Sequence, residues 1–369
     1  MILTSPGRWT GWSPSQVSTH EACNSQWWLE TIAKLRIPSP ESREASMAVG
    51  TWVHALNEAW CVKGDRPEVL GEACAKALEA GQPLPKVSED RAYACLQEAL
   101  EGHRSLPRST IPSVIRRAVA TAIPGLYMLP PPGSVPPDLV EAWCRVSVGV
   151  LGDEETFRGI PEGRGKADLK RPAIRGDRPG TAVLPIWDYK TTSSIARRAK
   201  TTAELLEDPQ AISYALAMLE DCRRGYMKAE LAALGVWVNP ATGKAHPIVD
   251  EAGTVSDPRD DLLKVLVEFC YYQTNDAPRV EPRHVTFTRE EVLEAFRKIA
   301  TKTLLAMREQ AKLLDLREVP YDLKSCGRFG GCPHLLTCAS VGRPTGGLSL
   351  GGDPPKPALP SPTPAVPTP

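Results

Sequence analysis

Residues 182–192 read Ala182-Val183-Leu184-Pro185-Ile186-Trp187-Asp188-Tyr189-Lys190-Thr191-Thr192. An apolar run ends abruptly in an acid and a base, two residues apart, followed by two hydroxyl residues. The run from Ala182 to Tyr189 is apolar at successive positions, as in a strand buried on both faces at the centre of a sheet. In a strand, residues i and i+2 share a face. Asp188 and Lys190 therefore point the same way at the mouth of the strand, and Tyr189 turns to the opposite layer. A carboxylate is a hard oxygen ligand suited to Mg²⁺ or Mn²⁺, and an adjacent ammonium can orient an attacking hydroxide.

Working outward, Gly165-Lys166-Ala167-Asp168-Leu169 leads along another strand, from Gly163 to Leu169. With 171–181 as a surface loop, this strand lies beside the first and brings Asp168 near Asp188. Two carboxylates and one lysine across a strand pair can form a metal site for phosphodiester hydrolysis, although an acid-x-Lys at a strand end, taken alone, is more commonly a surface salt bridge. The stretch Leu139–Leu151 alternates as a strand. Leu234–Val238 and His246–Val249 flank a turn at Asn239–Gly243, and His284–Phe287 is a short strand. Ser13-Pro14-Ser15-Gln16 starts a helix expected to run to Lys34, with Ser13 as N-cap. Further helices are expected over Glu44–Cys61, in pieces between 66 and 128, over Asp208–Glu220, and from a Thr288 cap to about Leu316. Strands in the middle with helices on both sides give an α/β or α+β domain.

The chain has 369 residues, 42% hydrophobic and 24% charged, an ordinary globular composition with a sizeable core. No run suffices for a membrane span. The opening MILTSPGRWTGWSPSQ has no basic start followed by an apolar core, so a cytoplasmic protein is expected, with its cysteines as thiols or metal ligands. The 44 basic and 44 acidic residues cancel. A nucleic-acid partner therefore needs a local patch, and residues 158–200 hold eleven Lys/Arg against four Asp/Glu. No phosphate-loop pattern occurs. Residues 341–369, rich in Pro and Gly, are expected to form a disordered tail.

Gly165-Lys166-Ala167-Asp168, then Asp188-Tyr189-Lys190, then Gln210-Ala211-Ile212-Ser213-Tyr214, in that order, resemble the PD-(D/E)XK nuclease superfamily. Gly50-Thr51-Trp52-Val53-His54, a Gly-x-x-x-His upstream, makes the chain similar to the RecB-like branch, which includes phage recombination exonucleases and CRISPR adaptation nucleases. The resemblance implies that His54, Asp168 and Asp188 ligate a divalent metal, Mg²⁺ or Mn²⁺, helped by the Tyr189 carbonyl. It implies that Lys190 positions the water and stabilises phosphate charge. Gln210 and Tyr214 lie four apart on one helical face; the resemblance implies that they work near DNA and the active site, with a structural role as the alternative. On the residues alone, His54 could equally be a hydrogen-bonded core histidine, with Gly50 serving close packing in either case.

Cys326, Cys332 and Cys338 fall within thirteen residues among turn-forming glycines, and Cys23 stands alone on the first helix. Iron–sulfur RecB-like nucleases resemble this layout, which implies a [4Fe–4S] cluster on the four thiolates; Zn²⁺ is the alternative. Cys61, Cys74, Cys95, Cys144, Cys222 and Cys270 read as inert core thiols. The expectation is an α/β, restriction-endonuclease-like fold over residues 1–340: a central mixed sheet flanked by helices, an N-terminal helical region, a helical insertion at 66–137, catalytic strands and helix at 138–220, and a cysteine loop at 326–338. The expected function is a metal-dependent deoxyribonuclease, by resemblance an exonuclease on ends or single strands in recombination, repair or phage DNA metabolism. Its partner is DNA, with a helicase, recombinase or single-strand-binding protein as candidate protein partners and no membrane. The alternative is a non-catalytic DNA-binding or assembly subunit that keeps the fold.

Overall fold

A computed structural model describes residues 2–3, 8–35, 37, 41–84, 91–103, 106–249, 252–275, 277–322, 326, 332–340 and 342. The Pro/Gly-rich tail expected from 341 onward lies, apart from residue 342, outside the described residues. The chain divides into two compact units. One comprises Arg8–Ser18 and Pro38–Glu309; the other comprises Met1–Gly7, Thr19–Ile37 and Gln310–Pro369.

The larger unit is built on strands β1 (Val140–Val146), β2 (Gly163–Lys170), β3 (Ile174–Arg175), β4 (Ala182–Thr192), β5 (Val236–Val238), β6 (Ala245–Pro247), β7 (Leu263–Gln273) and β8 (Val280–Thr288). Six form a mixed sheet in the order β1-β2-β4-β7-β8, with the short β3 also on β4. β4 and β7 run parallel over their whole lengths, from Ala182↔Leu263 to Thr192↔Gln273, and the other pairings are antiparallel. β4 is central, as its two-sided apolar pattern requires. β5 and β6 make the expected hairpin around Asn239–Gly243.

One sheet face carries Leu169, Trp187, Tyr189, Cys270 and Tyr272 into a core shared with the helices Glu41–Lys63, Pro67–Glu79, Arg91–Gly102 and Ile111–Ala122. Trp52, Val53, Leu56, Leu96 and Ile115 are completely or almost completely buried there. Each such side chain contributes about 1.5–3 kcal/mol relative to exposure. Gly50 lets the first of these helices approach β4: a Cβ on it would lie 2.6 Å from Thr191 Oγ1. Alternation turns Leu184, Ile186 and Asp188 to the other face, against the helix Pro209–Arg223. Asp208 caps that helix, its Oδ1 accepting the N–H groups of Gln210 (3.0 Å) and Ala211 (2.9 Å), with Pro209 in the first turn.

Several boundaries differ from the sequence reading. The helix expected from Ser13 to Lys34 is two, Pro14–Ala22 and Asn24–Thr31, broken at Cys23, whose backbone is extended. β1 stops at Val146, and a 3₁₀ turn covers Val148–Leu151. The 171–181 loop contributes β3. β8 is nine residues rather than four. Thr288 caps its helix with a capping box to Glu291, but the helix ends at Gln310 through a π-turn at Ala300–Leu304. β7 was not anticipated at all.

In the smaller unit, the helix Asn24–Thr31 buries Trp27, Trp28 and Leu29, Ser25 Oγ donates to Pro320 O (2.7 Å), and His334 Nε2 bonds Glu30 Oε1 (3.1 Å). Among the described residues, no helix is long and apolar enough to cross a membrane.

Candidate active site

β2 and β4 lie side by side at Leu169↔Trp187, and this pairing brings Asp168 to Asp188. The Tyr189 backbone N–H donates to Asp168 Oδ2. The helix Glu41–Lys63, seated on β4 at Gly50, delivers His54 one turn later. Its Nδ1 donates to Asp168 Oδ1 at 2.9 Å, and its ring meets Tyr189 edge-on at 5.7 Å. The Gly-x-x-x-His spacing thus has a physical basis: the glycine sets the helix distance, and the histidine on the same face reaches the acid.

Asp188 is buried, 3% exposed, rather than open at the strand mouth. Its Oδ1 accepts Gln210 Nε2 (3.0 Å) and lies 2.8 Å from the Tyr214 hydroxyl. Gln210 Oε1 in turn accepts Lys190 Nζ at 2.8 Å. The Lys190 ammonium also lies against Asp188 Oδ2, an oxygen that is buried without a hydrogen bond. Gln210 and Tyr214, one helical turn apart, therefore clamp one carboxylate oxygen while the other faces the cation alone.

Sequence reasoning missed Glu141. On β1 its backbone is left-handed (φ 48°), a conformation that costs a non-glycine residue about 1–3 kcal/mol and is concentrated at functional sites. The β1–β2 ladder skips a pair there, passing from Val140↔Leu169 to Ala142↔Ala167. Ligand atoms of His54, Glu141 and Asp168 lie within 4.8 Å of one another. Among the described residues, this is the group close enough to hold an ion; Glu141 joins two of the three residues expected as ligands, His54 and Asp168. The donor set, one imidazole with two carboxylates, suits a divalent cation. Asp188, whose Oδ2 is paired with Lys190, is a further carboxylate of the site. No sequence signal marks Glu141, since a lone acid in an alternating strand reads as a solvent-facing residue.

The electrostatics follow from charge crowding in a buried place. Burial opposes charge on His54, but Asp168, Asp188 and Glu141 outweigh it and raise the imidazole to about 9. Asp168 is held low despite burial, through His54, the Tyr189 N–H and Lys190. Burial raises Asp188, opposed by Lys190 and reinforced by Asp168. Burial and then Asp168 push Glu141 up to about 7. Burial resists charge on Lys190, yet Asp188 and Asp168 raise it, so it is an ammonium at neutral pH.

In the smaller unit, Cys23, Cys326, Cys332 and Cys338 are free thiols in one neighbourhood. Burial and then the charges of Cys23, Cys338 and Cys326 push Cys332 up to about 11, and burial and Cys23 raise Cys326. The four thiols come from the two ends of the chain and form no disulfide, and among the described residues they are not grouped as closely as the ligand atoms of His54, Glu141 and Asp168. The six remaining cysteines are buried or half-buried, and burial raises their thiols, as core cysteines require.

A comparison with curated proteins finds no match. The sequence profile of the PD-(D/E)XK nuclease superfamily, by contrast, matches residues 11–339, a span that contains the acid pair, the lysine, the histidine helix and the mixed sheet. With nearly its whole length matched, the chain belongs to the PD-(D/E)XK nuclease superfamily, a family of metal-dependent nucleases.

Proposed function

We propose that the protein is a Mg²⁺- or Mn²⁺-dependent deoxyribonuclease of the RecB-like type, an exonuclease on DNA ends or single strands in recombination, repair or phage DNA metabolism. The observation that carries this reading is the buried array in which Lys190 is tied to Asp188 and Gln210 beside the His54–Glu141–Asp168 group. Gly50, His54, Gln210 and Tyr214 all make the contacts expected of working parts of one site.

His54, Asp168 and Glu141, with Asp188 at their side, would hold the divalent cation. When bound, that cation supplies Lewis-acid polarisation of a phosphoryl oxygen and a nucleophile at neutral pH. Lys190, charged at neutral pH, cannot take a proton from water; it neutralises the charge that grows on the attacked phosphate. Gln210 and Tyr214 hold the Asp188 carboxylate in one orientation, and Gln210 also fixes the Lys190 ammonium. The Tyr189 N–H fixes Asp168 in the same way. His54 must give up its proton to become a ligand.

The cysteine set supports a [4Fe–4S] centre, with Zn²⁺ as the alternative, serving as a staple rather than as part of the cleavage chemistry. A helicase, recombinase or single-strand-binding protein is the class of partner such a nuclease would serve. Incubating pure protein with end-labelled single- and double-stranded DNA in Mg²⁺, Mn²⁺ or chelator tests the function. A metal-dependent ladder shortening from an end supports it; intact DNA under every condition, with a folded, metal-loaded protein, overturns it.

A further inference from the structure

Much of the basic run at 158–200 is engaged by the protein's own acidic and aromatic side chains. Lys170 pairs with Asp221 (2.7 Å), Arg171 lies 4.7 Å over Trp187, Arg178 pairs with Asp261, Lys190 with Asp188 and Lys200 with Asp208. Arg164 and Lys166 also have acidic neighbours, Glu162 and Glu141, but they stand together on the open face of the sheet. They project from β2 beside Trp143 and Arg145 of β1, in the register Trp143↔Lys166 and Arg145↔Arg164, and all four are exposed. Paired residues of adjacent strands share a face, so the four side chains form a small platform of three cations and an indole. Trp143 is 55% exposed, on a strand whose other face is buried in the core. A single exposed aromatic is ordinary; what sets Trp143 apart is the Lys166 ammonium over its ring and two arginines on the same face.

The platform is continuous with the active site. Lys166 Nζ lies 3.6 Å from Glu141 Oε2 and 5.4 Å over the Trp143 ring. Glu141 itself stands with His54 and Asp168. Along β1, Glu141, Trp143 and Arg145 are spaced two residues apart, about 7 Å per step, so a chain of contacts leads from the candidate metal ligands onto the ribbon. The Arg145 side chain has no hydrogen bond or ion pair among the described residues, and Arg164 has one, to the half-buried Glu162 at 3.3 Å.

We infer that the β1–β2 ribbon is the track on which single-stranded DNA lies as it enters the active site: an unpaired base stacks on Trp143, and Arg145, Arg164 and Lys166 take the flanking phosphates. This rests on the nuclease reading and extends it to a strand preference. A π-face accepts any base, but only one freed from its complement, whereas a duplex offers phosphates alone. Charge complementarity fits an anionic strand, and the indole distinguishes a single strand from a duplex.

Fluorescence anisotropy with a labelled thymidine oligomer of about twelve nucleotides, a length within known single-strand site sizes, tests this in EDTA, where no cleavage occurs. Trp143→Ala should weaken binding about five- to a hundredfold with an unchanged melting temperature, and Trp143→Phe should restore most of it. Arg145→Ser with Arg164→Ser should flatten the salt dependence, lowering the log–log slope by about 1.4 for two lost contacts to a single strand. Wild-type affinity for the oligomer in Trp143→Ala, or tighter binding of wild type to a duplex of the same length, overturns the track and leaves the nuclease reading standing if cleavage persists. Wild-type protein that neither binds nor cleaves any DNA overturns both. If Trp143→Ala does not fold, an unchanged salt slope in the arginine double variant overturns the track by itself.

Discussion

The acid–lysine site and the cysteine set gather their side chains by opposite means. At the acid–lysine site, regular structure does the positioning: a strand pairing aligns Asp168 with Asp188, a two-residue step adds Lys190, and a four-residue helical step adds Tyr214 to Gln210. Nearly every polar atom there has a protein partner. The cysteines come from a helix break at Cys23 and from a short segment ending in the helix Leu335–Ser340. Burial, and to a smaller degree the neighbouring cysteines, raises Cys332 and Cys326, so the group favours neutral thiols when no metal is bound. The first region would bind a metal with a frame already built; the second would owe its cohesion to the metal. Removing single groups should separate the two cases.

The largest effect is expected from Lys190→Ala, which should lower the cleavage rate about 10²–10³-fold, the range for losing one preorganised charge-stabilising donor. Metal affinity, read by Mn²⁺ titration, should change far less. A rate within a few-fold of wild type would show that the ammonium does not face the phosphate. Next comes Cys23→Ser. A centre joining Cys23 to Cys326 closes nearly the whole chain, and by loose analogy with disulfide loops its loss should cost about 3–5 kcal/mol. Thermal melts and metal analysis of the purified protein check this; full metal content and an unchanged melting temperature would erase the contrast between the two regions.

A smaller loss is expected from Gly50→Ala. The added methyl meets Thr191 Oγ1, and overpacking of this kind costs about 1–3 kcal/mol. Because the helix carries His54, activity should fall with stability. The double variant Gly50→Ala/Thr191→Ala should recover part of both, a coupling that denaturant melts and cleavage assays would measure.

The smallest effect is a pH trend in metal-free protein. His54 is raised above its ordinary value of 6.5, so its pairing contributes fully below that pH and is lost as pH rises through about 9. Asp168 is depressed below its ordinary 3.8, so its share persists above that value and is lost as pH falls through the lower folded one. Glu141, raised from 4.5 to about 7, erodes stability as pH climbs between those values. Melting temperature should therefore fall from about pH 6.5 to 9, and His54→Asn should flatten that segment. The imidazole is 30% exposed, so solvent screens part of the effect. A flat wild-type profile across this window would mean that the pair is not closed in solution.

What the sequence determined by itself is local. Two-sided apolarity in 182–189 put β4 at the centre of the sheet, and the i, i+2 step put Asp188 and Lys190 together. Ser13, Asp208 and Thr288 announced helix starts through short-range hydrogen bonds that need no distant partner. The ordered motifs supplied the superfamily. Tertiary structure decided the rest. β7, Leu263–Gln273, has a strand's β-branched and aromatic residues, but with lysine and glutamate interleaved its central place became visible only in the β4 pairing. The break at Cys23 lies inside a run that local propensity extends as a helix. Glu141 joined the ligand group, and Trp143 the exposed ribbon, because of which strand lies beside which. Periodicity reports the face a residue occupies, while what it faces is set by packing between segments apart in sequence, by 114 residues for His54 and Asp168, rather than by any local preference.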